Sequence, residues 1–212
     1  MNVNRRTQAQ RREATRTALI AAARELFAAR GYAGVGTEEI VQRAGVTRGA
    51  LYHHFSGKDD LFSAVYERVE QELTERIVTE VPLAGDDPVA VLRGGTSVFL
   101  DACLEPEVQR ICLLDAPAVL GYEEWRAIGA RHGLGLITAA VQAAVDVGAI
   151  PAHPVRPLAH ILLGALDEAA LLIARADDVA TAHREINETL DFLLRALTAP
   201  GSSPAPPARR PR

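Results

Sequence analysis

The chain has 212 residues, 48% of them hydrophobic but only 5% aromatic, and a formal net charge of −4. That is enough chain and apolar content for a sizeable core, and it excludes an extended disordered polymer. The N-terminal arginines lead into no apolar run, and no apolar stretch approaches the roughly 18 residues of a membrane span, so we expect no secretory signal, no membrane partner and a cytoplasmic protein.

Charge is distributed unevenly. Residues 1–60 carry ten basic groups (nine Arg and Lys58) against six acids, a balance of +4. The remainder carries 13 against 21, a balance of −8. A basic head on an acidic body is the asymmetry of a molecule that meets phosphate at one end only. Two cysteines, Cys103 and Cys112, stand in apolar surroundings. They read as core residues, with a redox or metal role as the alternative.

Taken in chain order, residues 1–12 are polar and arginine-rich, an expected loose arm. From about Glu13 to Arg30 the apolar positions Leu19, Ala22, Ala23, Leu26 and Phe27 recur at helical spacing, and Gly31 stands where a helix stops. Thr37 is the expected N-cap of a second helix, with Glu38 and Glu39 in its first turn, running to Ala44 before Gly45. Thr47 can cap a third helix from Arg48 to about Phe55, and Ser56 a fourth, with Asp59 in the capping-box position, reaching about Val81. Further helices are expected at about 88–104, 107–115, 121–147, 156–176 and 179–198, with a break at Pro117. The tail 200–212, PGSSPAPPARRPR, is low-complexity. Nothing alternates with period two for long enough to make a strand, so the expected class is all-α.

Two short helices joined by a glycine turn, 38–44 and 48–54, make a helix-turn-helix whose second member enters a major groove N-terminal end first. Thr47 and the free amides of the first turn can hold a phosphate. Arg48 can reach a guanine edge or grip the backbone, and Gly49 permits close approach. Tyr52 and His53 fall one turn further on the same face, and Lys58 adds charge at the next helix start, with Thr37 opposite. Leu51 and Phe55 face the core. Helix-turn-helix geometry also occurs in proteins that touch no nucleic acid.

The stretch AARELFAARGYAGVGTEEIVQRAGVTRGALYHHFSGKDDLFSAV resembles the N-terminal domain of TetR-family transcriptional regulators over nearly fifty residues. One departure is Ile40-Val41, where the family commonly has Ile-Ala. The resemblance implies that Thr37, Thr47, Arg48, Tyr52, His53 and Lys58 occupy positions that meet DNA. It also implies a three-helix DNA-binding domain over 13–60 and a larger helical effector-binding and dimerisation domain over 61–199, about nine helices in all. A repressor bound as a homodimer to a palindromic operator and released by a small effector is the function it implies.

Leu162, Ala165, Ala169 and Leu172 on one of the last two helices, and Ile186, Leu190, Leu193 and Leu197 on the other, are the candidate dimer contacts. Candidate effector contacts are Phe99, Cys103, Cys112, Leu113, Tyr122, Trp125, Ile128, His132, Leu136 and Glu168. Scarce aromatics point to an apolar or amphipathic small molecule. No His-Glu-x-x-His, Cys-x-x-Cys, P-loop, dinucleotide or Gly-x-Ser-x-Gly pattern is present, so we expect no enzyme, no metal and no cofactor. A helical carrier, and a DNA-binding regulator or activator without a ligand, are the rival readings.

Overall fold

The computed structural model describes residues 7–81 and 87–198. Among these all regular structure is helical: α1 (Gln8–Arg30), α2 (Thr37–Ala44), α3 (Arg48–His54), α4 (Lys58–Glu80), α5 (Pro88–Ala102), α6 (Pro106–Val108), α7 (Ala116–Leu120), α8 (Tyr122–Asp146), α9 (Val155–Ala174) and α10 (Val179–Thr198). A π-helical segment, Gln109–Asp115, joins α6 to α7 without a break. Counting 106–120 as one rod gives nine helices among the described residues, and the all-α class holds.

The first helix begins earlier than its apolar spacing suggests. Thr7 caps it: its hydroxyl accepts from the Gln10 amide at 3.3 Å, and the Gln10 side chain accepts from the Thr7 amide at 2.8 Å. Residues 8–12, expected in the arm, are therefore helix. They are illegible in the sequence because that turn is exposed and carries no apolar stripe. The rest of the arm, residues 1–6, and the tail 200–212 lie outside the described residues.

Leu19, Ala23 and Phe27 of α1 pack at zero exposure with Ile40 of α2, Leu51 of α3 and Leu61, Phe62 and Val65 of α4. The Phe27 and Phe62 rings meet edge to face at 5.3 Å, a favoured aromatic geometry. Val41 is buried in the same cluster. Between α2 and α3, Gly45 adopts φ 66°, and the Val46 amide reaches back to the Val41 carbonyl at 3.0 Å. That left-handed turn is what a glycine supplies without strain.

Two expected caps are corrected. Gly36, not Thr37, is the N-cap of α2, which makes Thr37 its first helical residue. At α4 the N-cap is Gly57, and the Ser56 amide and hydroxyl both donate to Asp60 rather than Asp59. Asp59 instead accepts from the Tyr32 hydroxyl.

The expected break at Pro117 does not occur. Proline lacks a donor, but in the first turn of a helix no donor is required there, and Pro117 sits in the first turn of α7. The wide turns before it absorb the ring: the Ala116 amide reaches five residues back to Ile111. The rod ends instead at Gly121, with φ 80°.

In the body α8 packs along α9, with α4, α5 and α10 around them. α9 is more apolar than expected, since a window within its 20 residues reaches mean hydropathy 1.6, enough in length and composition to cross a membrane. In the fold it serves as a core helix, with Leu158, Ala159, Leu163, Ala170 and Ile173 buried.

Candidate nucleic-acid interface and internal cavity

α3 divides cleanly by face. Leu51 and the C-capping Phe55 turn inward, whereas Thr47, Arg48, Gly49, Tyr52 and His53 are all exposed. Thr47 caps the helix, its hydroxyl oxygen accepting from the Ala50 amide at 3.2 Å, so its O–H remains free to donate outward. The Arg48 guanidinium lies 5.6 Å from the Tyr52 ring centre, a stacking contact that holds it on the helix face. A Cβ added to Gly49 would meet nothing nearer than the Thr47 hydroxyl at 3.9 Å. The chain therefore has no internal need for glycine there, although glycine weakens a helix.

Two expected contacts sit differently. Thr37 is half-buried and plays no capping role. The Lys58 ammonium turns inward, donating to the carbonyls of Tyr32 and Val35 at 3.0 Å each, over the Tyr32 ring. It clips the 31–36 turn to the start of α4 and keeps one N–H to offer outward.

The body encloses a cavity of about 140 Å³ walled by α4, the rod 106–120, α5, α8, α9 and α10. Of the ten expected effector contacts, Phe99, Cys103, Cys112, Leu113, Trp125 and Leu136 line it. Trp125 is buried, its indole N–H donating to the Cys112 carbonyl at 2.9 Å. The other four do not line it. Tyr122 precedes Trp125 by three residues and is 60% exposed; Ile128 is spent in the core packing; Glu168 points to solvent. His132 faces Glu67 across the α4–α8 seam, Nε2 to Oε1 at 3.7 Å.

The cavity's polar end is absent from the sequence-based expectation. Tyr66 and Glu70, one turn apart on α4, line it together with Arg126 and Asp167. The Arg126 guanidinium pairs with Asp167 at 2.7 Å, passing so close to α9 that a Cβ on Gly164 would stand 3.3 Å from it. The Tyr66 hydroxyl donates to the Trp125 carbonyl at 3.3 Å. Burial pushes the Glu70 carboxyl up to about 7 and Asp167 up to about 6, with Arg126 opposing the shift at Asp167. The same desolvation raises both thiols, so Cys103 and Cys112 carry no thiolate character.

Cavity and head are joined by covalent and ionic links. α4 carries Lys58 at the head and Glu70 in the cavity wall. The π-helical segment presents Cys112 and Leu113 to the cavity, while Asp115 accepts from the Tyr32 amide at 2.7 Å. Arg24 of α1 binds Glu107 at 2.7 Å and Glu72 at 2.6 Å, an ionic clasp across three helices.

Of the eight expected dimer contacts, Ala169 and Leu190 are buried in the protomer, and Leu162, Ala165, Ile186 and Leu197 are partly buried against its cores. Leu172 and Leu193 are exposed, Leu193 while also bordering the cavity, and Ile161 and Phe192, outside the expected set, are exposed on the same two helices.

Residues 19–65 match the family described as bacterial regulatory proteins, tetR family. Residues 89–197, more than half of the chain, match the tetracyclin repressor-like C-terminal domain. The TetC protein of transposon Tn10 from Escherichia coli is 27% identical over 161 residues, 76% of this chain and 81% of that protein. The regulator AcrR from Shigella flexneri is 34% identical over 109 residues, so the chain spans 50% of that relative's length. The crystal structure of a TetR-family transcriptional regulator from Pectobacterium atrosepticum superposes with a TM-score of 0.81 at 34% identity, covering 92% of this chain and 99% of the other. With a helix-turn-helix head, a cavity-bearing helical body and matches across both, this chain belongs to the TetR family of transcriptional regulators.

Proposed function

We propose that the protein is a homodimeric repressor that holds a palindromic operator through two copies of α3 and releases it when a small effector fills the cavity. One observation carries this reading: a single helix, α4, supplies both the Lys58 clip under the head and the Tyr66–Glu70 wall of the cavity. Thr47, Arg48, Gly49, Tyr52 and His53 form the DNA-facing surface, with Thr37 and Lys58 at its edges. Residues up to about 60 make the reading head, and 61–199 the effector-binding and dimerising body.

A ligand that displaces Tyr66 or Glu70 shifts α4 and, with it, the Lys58 clip at the helix start. The π-helical segment offers a second route, from Cys112 and Leu113 to Asp115 and the Tyr32 amide. The effector has to bind the DNA-free arrangement more tightly, since equal affinity for both forms shifts nothing. A constitutive regulator leaves this cavity without a use, and a plain carrier leaves the exposed basic face of α3 without one.

The test is to recover genomic fragments retained by the purified protein, then titrate the selected site by mobility shift in rising salt and with candidate effectors. A repressor of this kind protects a two-fold symmetric sequence with half-sites about one helical turn apart. It also loses affinity linearly, on logarithmic axes, as salt concentration rises. A saturating ligand that leaves operator affinity unchanged refutes effector release, and an asymmetric single half-site refutes the dimer.

A further inference from the structure

We infer that the effector is a single-ring molecule bearing one hydroxyl, seated with that hydroxyl against the Glu70 carboxyl and the Tyr66 phenol. This rests on the effector role proposed for the cavity and names the chemistry of its occupant.

Size sets the first limit. The cavity measures about 140 Å³. A dry cavity of about 150 Å³ walled by aliphatic and aromatic side chains is known to accept benzene, so one six-membered ring fits here. The wall is largely apolar, including Leu113, Leu136, Leu163, Phe99 and Trp125. It offers a ring contact over most of its surface.

Charge sets the second limit. Asp167 is already matched by Arg126 at 2.7 Å, so that pair contributes no net charge. Glu70 is half-buried in the cavity wall, and among the described residues no cation is paired with it. Its polar neighbour is Tyr66, whose own hydroxyl is held by a long bond of 3.3 Å to the Trp125 carbonyl. A half-buried carboxyl in a largely apolar wall, with Tyr66 as its polar neighbour, is best served by a ligand that supplies a hydrogen-bond donor.

Three other ligand chemistries fit less well. A carboxylate would face two acids with the one guanidinium already taken. An ammonium brings three N–H donors to a single free carboxyl, leaving the others against C–H walls. A hydrocarbon leaves Glu70 as it is. A ring hydroxyl has one donor, which Glu70 accepts, and an oxygen that accepts from Tyr66 once that phenol turns from the Trp125 carbonyl, so the ligand leaves no donor unmatched.

Calorimetric titration of the full-length protein with phenol, toluene, benzylamine and benzoate tests this. Phenol is expected to bind about tenfold more tightly than toluene, the effect of one hydrogen bond, with benzylamine and benzoate weaker than both. Glu70→Leu should erase the preference of phenol over toluene. Glu70→Gln, whose amide oxygen still accepts, should keep phenol ahead and serves as the folded control. Equal binding of phenol and toluene, a preference for benzylamine or benzoate, or no binding of any of the four at millimolar concentration overturns the inference. So does an unchanged preference in Glu70→Leu. Genomic-fragment retention by the same preparation separates the two readings. Protein that prefers phenol but holds no DNA keeps this inference and loses the regulator, and DNA binding without the preference does the reverse.

Discussion

The Lys58 ammonium lies 3.8 Å from the centre of the Tyr32 ring and donates to the Tyr32 carbonyl at 3.0 Å. With the second bond to Val35 at 3.0 Å, the chain's single lysine ties the turn after α1 to the first residue of α4. Lys58→Met removes two charge-assisted bonds and leaves two partly buried carbonyls, a loss on the order of 2 kcal/mol in denaturant unfolding. If Lys58 instead served DNA alone, stability would be untouched and only the salt slope of binding would fall by about one.

Arg48 shows the opposite signature. Its side chain is fully exposed and stacked on Tyr52, so Arg48→Ala should leave the unfolding midpoint close to that of wild type. Operator affinity should drop by roughly ten- to a hundredfold. Fluorescence anisotropy across a salt series distinguishes its two candidate partners. Selective loss at one guanine position marks a base contact, and a uniform loss with a shallower salt slope marks a phosphate contact.

Gly49 has an unoccupied neighbourhood, with only the Thr47 hydroxyl within 4 Å of the place a side-chain methyl would take. Gly49→Ala should therefore stabilise the free protein by about 0.5–1 kcal/mol through helix propensity. The same methyl stands where α3 approaches the duplex, so operator affinity should fall. Equal or better DNA binding by this variant would remove α3's N-terminal turn from the interface.

The head can be read from sequence because its determinants are local. Gly45, Thr47 and the stripe Leu19–Ala23–Phe27 each act within one or two turns, and they appear in the structure as expected. The cavity cannot be read in the same way. Glu70 lies in YERVEQELTE among acids that look solvated, and only its place one turn after Tyr66 and one before Thr74 puts it on the inward stripe. Sequence points to Glu168 where Asp167 lines the cavity, an error of one residue that rotates a helical side chain by about 100°. Arg126 escapes notice because its partner is 41 residues away, and no local pattern encodes that pairing.

Glu70 also makes stability depend on pH. Burial raises its folded-state value from the ordinary 4.5 to about 7. The folded protein then holds a proton that the unfolded chain has released, so stability falls as pH rises from about 4.5 to about 7 and levels off above. A shift of this size corresponds to on the order of 3 kcal/mol. Asp167, raised to about 6, adds a smaller loss in the same direction, opposed by Arg126. Glu70→Gln should flatten this part of the profile, raising the melting temperature at pH 8 while changing little at pH 4.5. A parallel shift at every pH would show that the gain comes from packing rather than from removing a buried charge.

The proposed dimer makes its prediction on the exposed apolar residues of α9 and α10. Phe192 is 68% exposed, with Leu193 beside it and Ile161 and Leu172 on the adjoining helix. Four large apolar side chains on two neighbouring helices are unfavourable on a surface that meets only water, and a second copy of the same pair would bury them in a four-helix contact. Phe192→Glu places two like charges near the centre of such an interface. Sedimentation should then show a protomer at concentrations where wild type is dimeric, with far-ultraviolet circular dichroism unchanged because Phe192 is not part of the protomer's core. The lone protomer should also lose most of its operator affinity, since one α3 covers only a few base pairs. Wild-type protein that sediments as a single chain, or a Phe192→Glu variant that remains a dimer, would move the contact away from this face.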